Sequence, residues 1–165
     1  MKLKTWASTD VGRRHSENED SFLLAPDLGL VAVADGMGGF ERGDVASQLA
    51  CEVLQESIAS RRDVLEAYRR VPSPEARNVV LEALEDAVQQ ACQQVHEAAT
   101  ALASGGRMGT TMDALLVLNS TAFIAHVGDS RVYRLRNECL EQLTFDHSLV
   151  WEIEASPELQ ATSWS

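Results

Sequence analysis

Leu30-Val31-Ala32-Val33-Ala34-Asp35-Gly36-Met37-Gly38-Gly39 is an apolar run that delivers one carboxylate into a glycine-rich turn. Val31 to Ala34 is small, apolar and unbroken, so it reads as a strand buried on both faces. Burying it carries Asp35 to the end of a sheet. Three glycines within the next four residues leave backbone open there, suited both to a tight turn and to the close approach of a ligand. Taken alone, the same Asp-Gly also reads as an ordinary polar turn.

Upstream, Ser21 to Ala25 reads as a short strand and Pro26-Asp27-Leu28-Gly29 as its turn, so the two strands form a hairpin. That hairpin sets Glu19 and Asp20 at the same sheet end as Asp35. Residues 3 to 9 alternate as a first strand, and Arg13 to Asp20 is a dense polar stretch. Downstream, Asp44 reads as the N-cap of a helix carrying Val45, Ala46, Leu49, Ala50, Val53, Leu54 and Ile58 at helical spacing. Residues 61 to 71, with two arginine pairs, read as a short helix or a loop with a solvated surface. Ser73 caps a second helix with Pro74 at its first position, and an apolar stripe from Val80 to Leu102 carries it to about residue 103. Strands follow over 111–118, 121–127, 131–136 and 139–143, then a short helix over 148–155 and an irregular tail over 156–165. Strands, helices, then strands make an α+β domain with a mainly antiparallel sheet, here 1–155.

Composition narrows the function classes. The 165 residues suit one domain, and 45% hydrophobic against 24% charged residues is an ordinary globular balance. A net charge of −11 argues against nucleic acid or an anionic membrane as partner and favours a divalent cation. No apolar run reaches the ~20 residues of a membrane span, and the start lacks a signal-peptide core, so a cytoplasmic protein is expected. Cys51, Cys92 and Cys139 are widely spaced and odd in number, which reads as buried thiols in a reducing compartment.

Glu19, Asp20 and Asp35, with the carbonyl of Gly36, are hard oxygen donors of the kind Mg²⁺ or Mn²⁺ prefers. Crowded carboxylates resist ionisation unless a cation sits among them. Such a site polarises a phosphoryl oxygen and acidifies water, which points to phosphate-ester hydrolysis. Solvated turn acids are the plain alternative.

Five segments decide between these. STDVGRRHSENED (8–20), ADGMGG (34–39), MGTT (108–111), VGDSR (127–131) and Asp146-His147 follow, in order and spacing, the motifs of the bacterial metal-dependent protein phosphatases, the PPM or type 2C serine/threonine family. The resemblance covers about residues 5 to 152. It implies an αββα sandwich, two stacked antiparallel sheets flanked by helices, around a binuclear Mn²⁺/Mg²⁺ centre that hydrolyses phosphoserine and phosphothreonine in proteins. By matching positions, Asp35 would bridge the metals, Gly36 would offer its carbonyl, and Glu19 would bind the second metal directly or through water. Asp20 would order metal-bound water, so Asp35 and Asp20 are the catalytic candidates. Gly109, Thr110 and Thr111 would begin a core strand, and Asp129 with Arg131 would tie a neighbouring turn. The implied partners are phosphoproteins made by a Ser/Thr kinase, with no nucleic acid and no membrane, and the chain is expected to be a monomer.

The sequence departs from that pattern in three places. His15 stands where the family carries a phosphate-gripping arginine, and a histidine offers fewer donors than a fixed guanidinium fork. Arg14 is adjacent but on a strand points the other way. Residues 101–107, ALASGGR, lack the acid that some members place there for a third metal. No Asp-Asn and no second Asp-Gly occurs, so the aspartates that complete the family's first metal site are missing, as in a C-terminally truncated domain. A catalytically impaired or pseudophosphatase module that docks phosphoproteins, or an incomplete fragment, are the rival readings. Met37 closes a general-acid route that a histidine would open, and His126 reads as a hydrogen-bonded core residue.

Overall fold

The structure, a computed structural model, describes residues 3–13, 16–37, 42–102 and 108–147. Strands β1 (Asp20–Ala25) and β2 (Leu30–Met37) form the expected hairpin. Leu28 and Gly29 N–H groups return to Ala25 O, and Gly29 takes the turn's positive φ of 81°. Three helices follow: α1 (Gly43–Ser60), α2 (Arg62–Arg70) and α3 (Pro74–Ala101). Then come β3 (Gly109–Thr110), β4 (Met112–Leu118), β5 (Thr121–Val127), β6 (Tyr133–Arg136) and β7 (Cys139–Gln142). The larger antiparallel sheet runs β1-β2-β4-β5 with β3 also on β2, and β6-β7 is a separate hairpin.

The helices join one face of the large sheet into a single core. Leu30, Ala32, Ala34, Ala114, Leu116 and Leu118 face inward against Ala46, Leu54, Ile58, Leu65, Leu84 and Ala87. Small alanines on β2 let α1 lie close to the strand, which is how the helix comes to frame the sheet end. Helix α3 starts as its sequence predicts, with the Ala76 N–H donating to Ser73 Oγ and Pro74 in the first turn. Three of the four arginines of these pairs are committed to the scaffold: Arg61 pairs with Asp86, Arg62 with Asp27, and Arg69 with Glu66 and Leu28 O.

The structure corrects several expectations. Strand β2 is buried on one face only: Leu30, Ala32 and Ala34 are inward while Val33 is 48% exposed, because the helices cover one side and Phe22, Leu24 and Val33 face outward. Residues 3–9 form no ladder. Leu3 to Ala7 run across the outward face, where they share a cavity of about 400 Å³ with Val31, Val33 and Leu115. A segment over a face meets side chains, not the unpaired backbone groups of an edge. The β6-β7 hairpin is exposed along both strands. Asp44 is not the cap of α1. Arg42 takes that position in the left-handed region (φ 75°, ψ 50°), and Asp44 lies in the first turn. Only Cys51 is a buried thiol, its pKa pushed up to about 11 by burial, whereas Cys92 and Cys139 are exposed. The expected helix over 148–155 and the tail lie outside the described residues.

Candidate metal centre

The hairpin register fixes the site. Asp20 and Asp35 are direct partners across β1 and β2, so both carboxylates stand on the outward face at one sheet end. Glu19 extends that rung: its carbonyl accepts from the Gly36 N–H at 3.1 Å and from the buried Ser47 hydroxyl at 2.6 Å. Ser47 also lies 2.9 Å from Ser21 Oγ, so helix α1 holds the start of β1 through two hydroxyls. The glycine of Asp35-Gly36 has a different reason from the one its sequence suggests. Gly36 lies within β2, and a Cβ there would sit 2.1 Å from Gly43 O and 2.4 Å from Glu19 O. Its close neighbour is the first residue of α1. The Glu19 carboxyl in turn lies against Gly43, at a helix N-terminus, where the aligned peptide dipoles favour an anion.

Electrostatics single out Asp35. Although the residue as a whole is exposed, its carboxyl is partly desolvated, and this together with the charge and hydrogen bond of Asp20 and the charges of Asp129 and Glu19 raises its pKa above 3.8. Asp20 is held on its other side, its backbone N–H donating to Asn18 Oδ1 at 3.1 Å and its Oδ2 facing the Thr9 hydroxyl at 3.4 Å. Asp20 and Asp35 border a cleft of about 220 Å³ shared with Thr9, Phe22 and Ser130.

Among the described residues no three carboxylate, imidazole or thiolate side chains converge as a ready metal cage. The donor chemistry nevertheless fits Mg²⁺ or Mn²⁺. The groups present are carboxylate and carbonyl oxygens under mutual repulsion, and Mg²⁺ commonly takes one or two carboxylates and keeps several waters. Arg14 and His15 lie outside the described residues.

Other motif residues hold the surroundings. Arg131 pairs with Asp146 through Nε at 2.9 and 3.2 Å and Nη2 at 2.6 Å, and the guanidinium holds the Asp146 carboxyl below its usual range. His126 is the hydrogen-bonded residue expected: Nδ1 lies 2.7 Å from Asp113 Oδ1 and Nε2 2.8 Å from Phe145 O. Sequence reasoning missed three groups. Asp113 is 4% exposed with Oδ2 unpartnered among the described residues, Ser47 braces Glu19, and the Thr111 side chain reaches the Asp35 backbone. Ser47 and Thr111 have partners 28 and 76 residues away, and Asp113 meets His126 across the β4-β5 hairpin, so periodicity carries no signal for them.

The family model for protein phosphatase 2C matches residues 11–149. The chain belongs to the protein phosphatase 2C family. Relatives agree with that membership. The serine/threonine phosphatase stp of Listeria innocua is 36% identical over 158 residues, covering 92% of this chain and 57% of its own length. The PPM Ser-Thr phosphatase MsPP of Mycobacterium smegmatis, crystallised with cacodylate, superposes with a TM-score of 0.68 at 32% identity, over 88% of this chain and 54% of that one. The catalytic domain of the phosphatase PstP, solved with two manganese ions, gives 0.69 at 31% identity, over 90% and 60%. The chain thus spans a little over half the length of these type 2C phosphatases.

Proposed function

We propose that this chain carries the N-terminal part of a metal-dependent phosphatase centre acting on phosphoserine and phosphothreonine in proteins. The observation that supports it is the Asp20–Asp35 rung, where Asp35 is surrounded by like charge at the mouth of a cleft. Bound Mn²⁺ or Mg²⁺ would neutralise that charge and supply Lewis-acid polarisation of the phosphoryl group and acidification of water. In this reading Asp35, the Gly36 carbonyl and Glu19, whose carboxyl lies against Gly43, would hold the metal. Asp20, held by Asn18, orients water beside Asp35. His15 and Arg14, a few residues before Glu19 in sequence, are the candidates for contacting substrate phosphate.

The substrates are phosphoproteins formed by a Ser/Thr kinase, met in the cytoplasm by a monomeric chain. The preference for a phosphorylated peptide over nucleic acid accords with a net charge of −11, which repels polyanions while a local dication admits one phosphate. The test is release of phosphate from a phosphothreonine peptide with Mn²⁺. Turnover in the parent and its loss in a folded Asp35→Ala variant support the proposal. A folded parent that neither turns over the peptide nor binds Mn²⁺ in calorimetry refutes it.

A further inference from the structure

At the rung of Asp35 the sheet ladder is interrupted. Strand β3 ends at Thr110 and β4 begins at Met112, leaving Thr111 between them in neither strand. The Thr111 N–H still donates to Asp35 O at 2.9 Å, but the Asp35 N–H donates to the Thr111 hydroxyl at 3.0 Å in place of a backbone carbonyl. The Thr110 hydroxyl adds a second donor to Asp35 O at 3.0 Å. Both backbone groups of Asp35 thus meet Thr111, 76 residues away in sequence, and for the Asp35 N–H the Thr111 hydroxyl is the partner.

The Thr111 side chain is itself fixed. It is 5% exposed, and its Oγ1 lies 2.7 Å from Ser130 Oγ. Oγ1 accepts from Asp35 and keeps one proton and a second lone pair, so Thr111 and Ser130 are hydroxyl partners with either able to donate. On the other side Gly128 (φ +107°) presses on the threonine methyl so closely that a Cβ there would sit 2.6 Å from Cγ2. Gly128 is held in turn by His147, whose N–H donates to Gly128 O at 2.7 Å. The rotamer of Thr111 is thus set by packing below and a hydroxyl partner above.

We infer that Thr111, fixed by Ser130, is the positioning residue for Asp35, so that the affinity of the centre for its dication is set by a pair of hydroxyls that do not themselves supply a ligand. A side-chain acceptor can be removed without breaking a whole ladder, which leaves the aim of Asp35 adjustable at one rung while its neighbours stay paired. The inference rests on Asp35 being a metal ligand, as proposed above.

The experiment is calorimetric titration of Mn²⁺ into the full chain, with thermal melting of each variant as control. Thr111→Val keeps the shape and removes the hydroxyl, so it should weaken Mn²⁺ ~10- to 100-fold, the usual effect of losing a group that orients a ligand. Thr111→Ser restores the hydroxyl and should bind within about threefold of the parent on the same principle. Ser130→Ala should weaken binding less than Thr111→Val, and the double variant should be no worse than Thr111→Val alone, because both act through one chain of contacts. Equal Mn²⁺ affinity in the parent and a folded Thr111→Val overturns the inference. So do additive effects of the two changes. If Thr111→Val does not fold, the Ser130→Ala affinity decides: unchanged overturns, weakened with an unchanged melting temperature supports. Parent binding that Asp35→Asn leaves intact overturns the metal centre itself, which separates failure of that reading from failure of this one.

Discussion

Gly36→Ala places one methyl between β2 and α1, and the structure sets the size of the response. The new Cβ would lie 2.1 Å from Gly43 O, 2.4 Å from Glu19 O and 2.6 Å from Gly43 C. These are backbone atoms, so no side chain can turn aside. Reaching even the 3.0 Å that real Cβ contacts observe means moving the start of α1 by 3.0 minus 2.1, or 0.9 Å. Overpacking of this kind costs about 1–3 kcal/mol, and the Gly36 N–H to Glu19 O bond stretched with it adds about 1 kcal/mol. The sum, about 2–4 kcal/mol, corresponds to a melting temperature lower by about 4–16 °C for a chain of this size. Gly109→Ala is the control, since its Cβ would meet only the flexible Met37 side chain at 3.6 Å. Differential scanning calorimetry of both variants checks the argument. A Gly36→Ala variant that melts within about 1 °C of the parent, or no lower than Gly109→Ala, refutes it.

Three further outcomes follow from the same structure. Asp35→Asn should stabilise the metal-free chain by about 0.2–1 kcal/mol, a figure kept small because the carboxyl is largely solvated. Its pH dependence has a definite sign. The folded pKa is raised above 3.8, so in that window the folded state holds more protons than the unfolded one and stability falls as pH rises through the folded value. The difference in melting temperature between Asp35→Asn and the parent should therefore widen with pH above about 4 and vanish below it. Leu54→Ala, fully buried where α1 meets the sheet, should cost about 2–5 kcal/mol in urea denaturation. Ser73→Ala removes the acceptor for the Ala76 N–H at the start of α3 and should cost about 1 kcal/mol by the same assay.

The legible parts of the fold were those with a local cause. The β1-β2 hairpin is written in a Pro-Asp-Leu-Gly turn between two short apolar runs, and α3 in a Ser-Pro start followed by a long apolar stripe. Because the hairpin follows from the turn, the placing of Glu19 and Asp20 at the same sheet end as Asp35 was legible with it, and the structure adds the direct pairing of Asp20 with Asp35. What stayed hidden depends on the third dimension. An apolar outward residue such as Val33 looks the same in sequence whether or not a layer covers it, so β2 read as buried twice. Asp44 is a better cap by type than Arg42, yet the contact between Gly36 and Gly43 fixes where α1 begins. The braces on the site, Ser47 to Glu19 over 28 residues and Thr111 to Asp35 over 76, are pairwise and long-range. Motif resemblance marked Thr111 as part of a core strand, and geometry gave it a partner.

The claim on which the account rests is that the end of the β1-β2 hairpin is where a divalent cation binds. Adding substoichiometric Mn²⁺ to the isotopically labelled protein and recording amide spectra locates the ion by paramagnetic broadening. The amides of Asp20, Asp35, Gly36 and Thr111 should broaden first, and Asp35→Asn should remove the effect. Broadening that instead begins on the acidic surface of α3, around Glu82 and Glu85, and persists in Asp35→Asn would contradict the account.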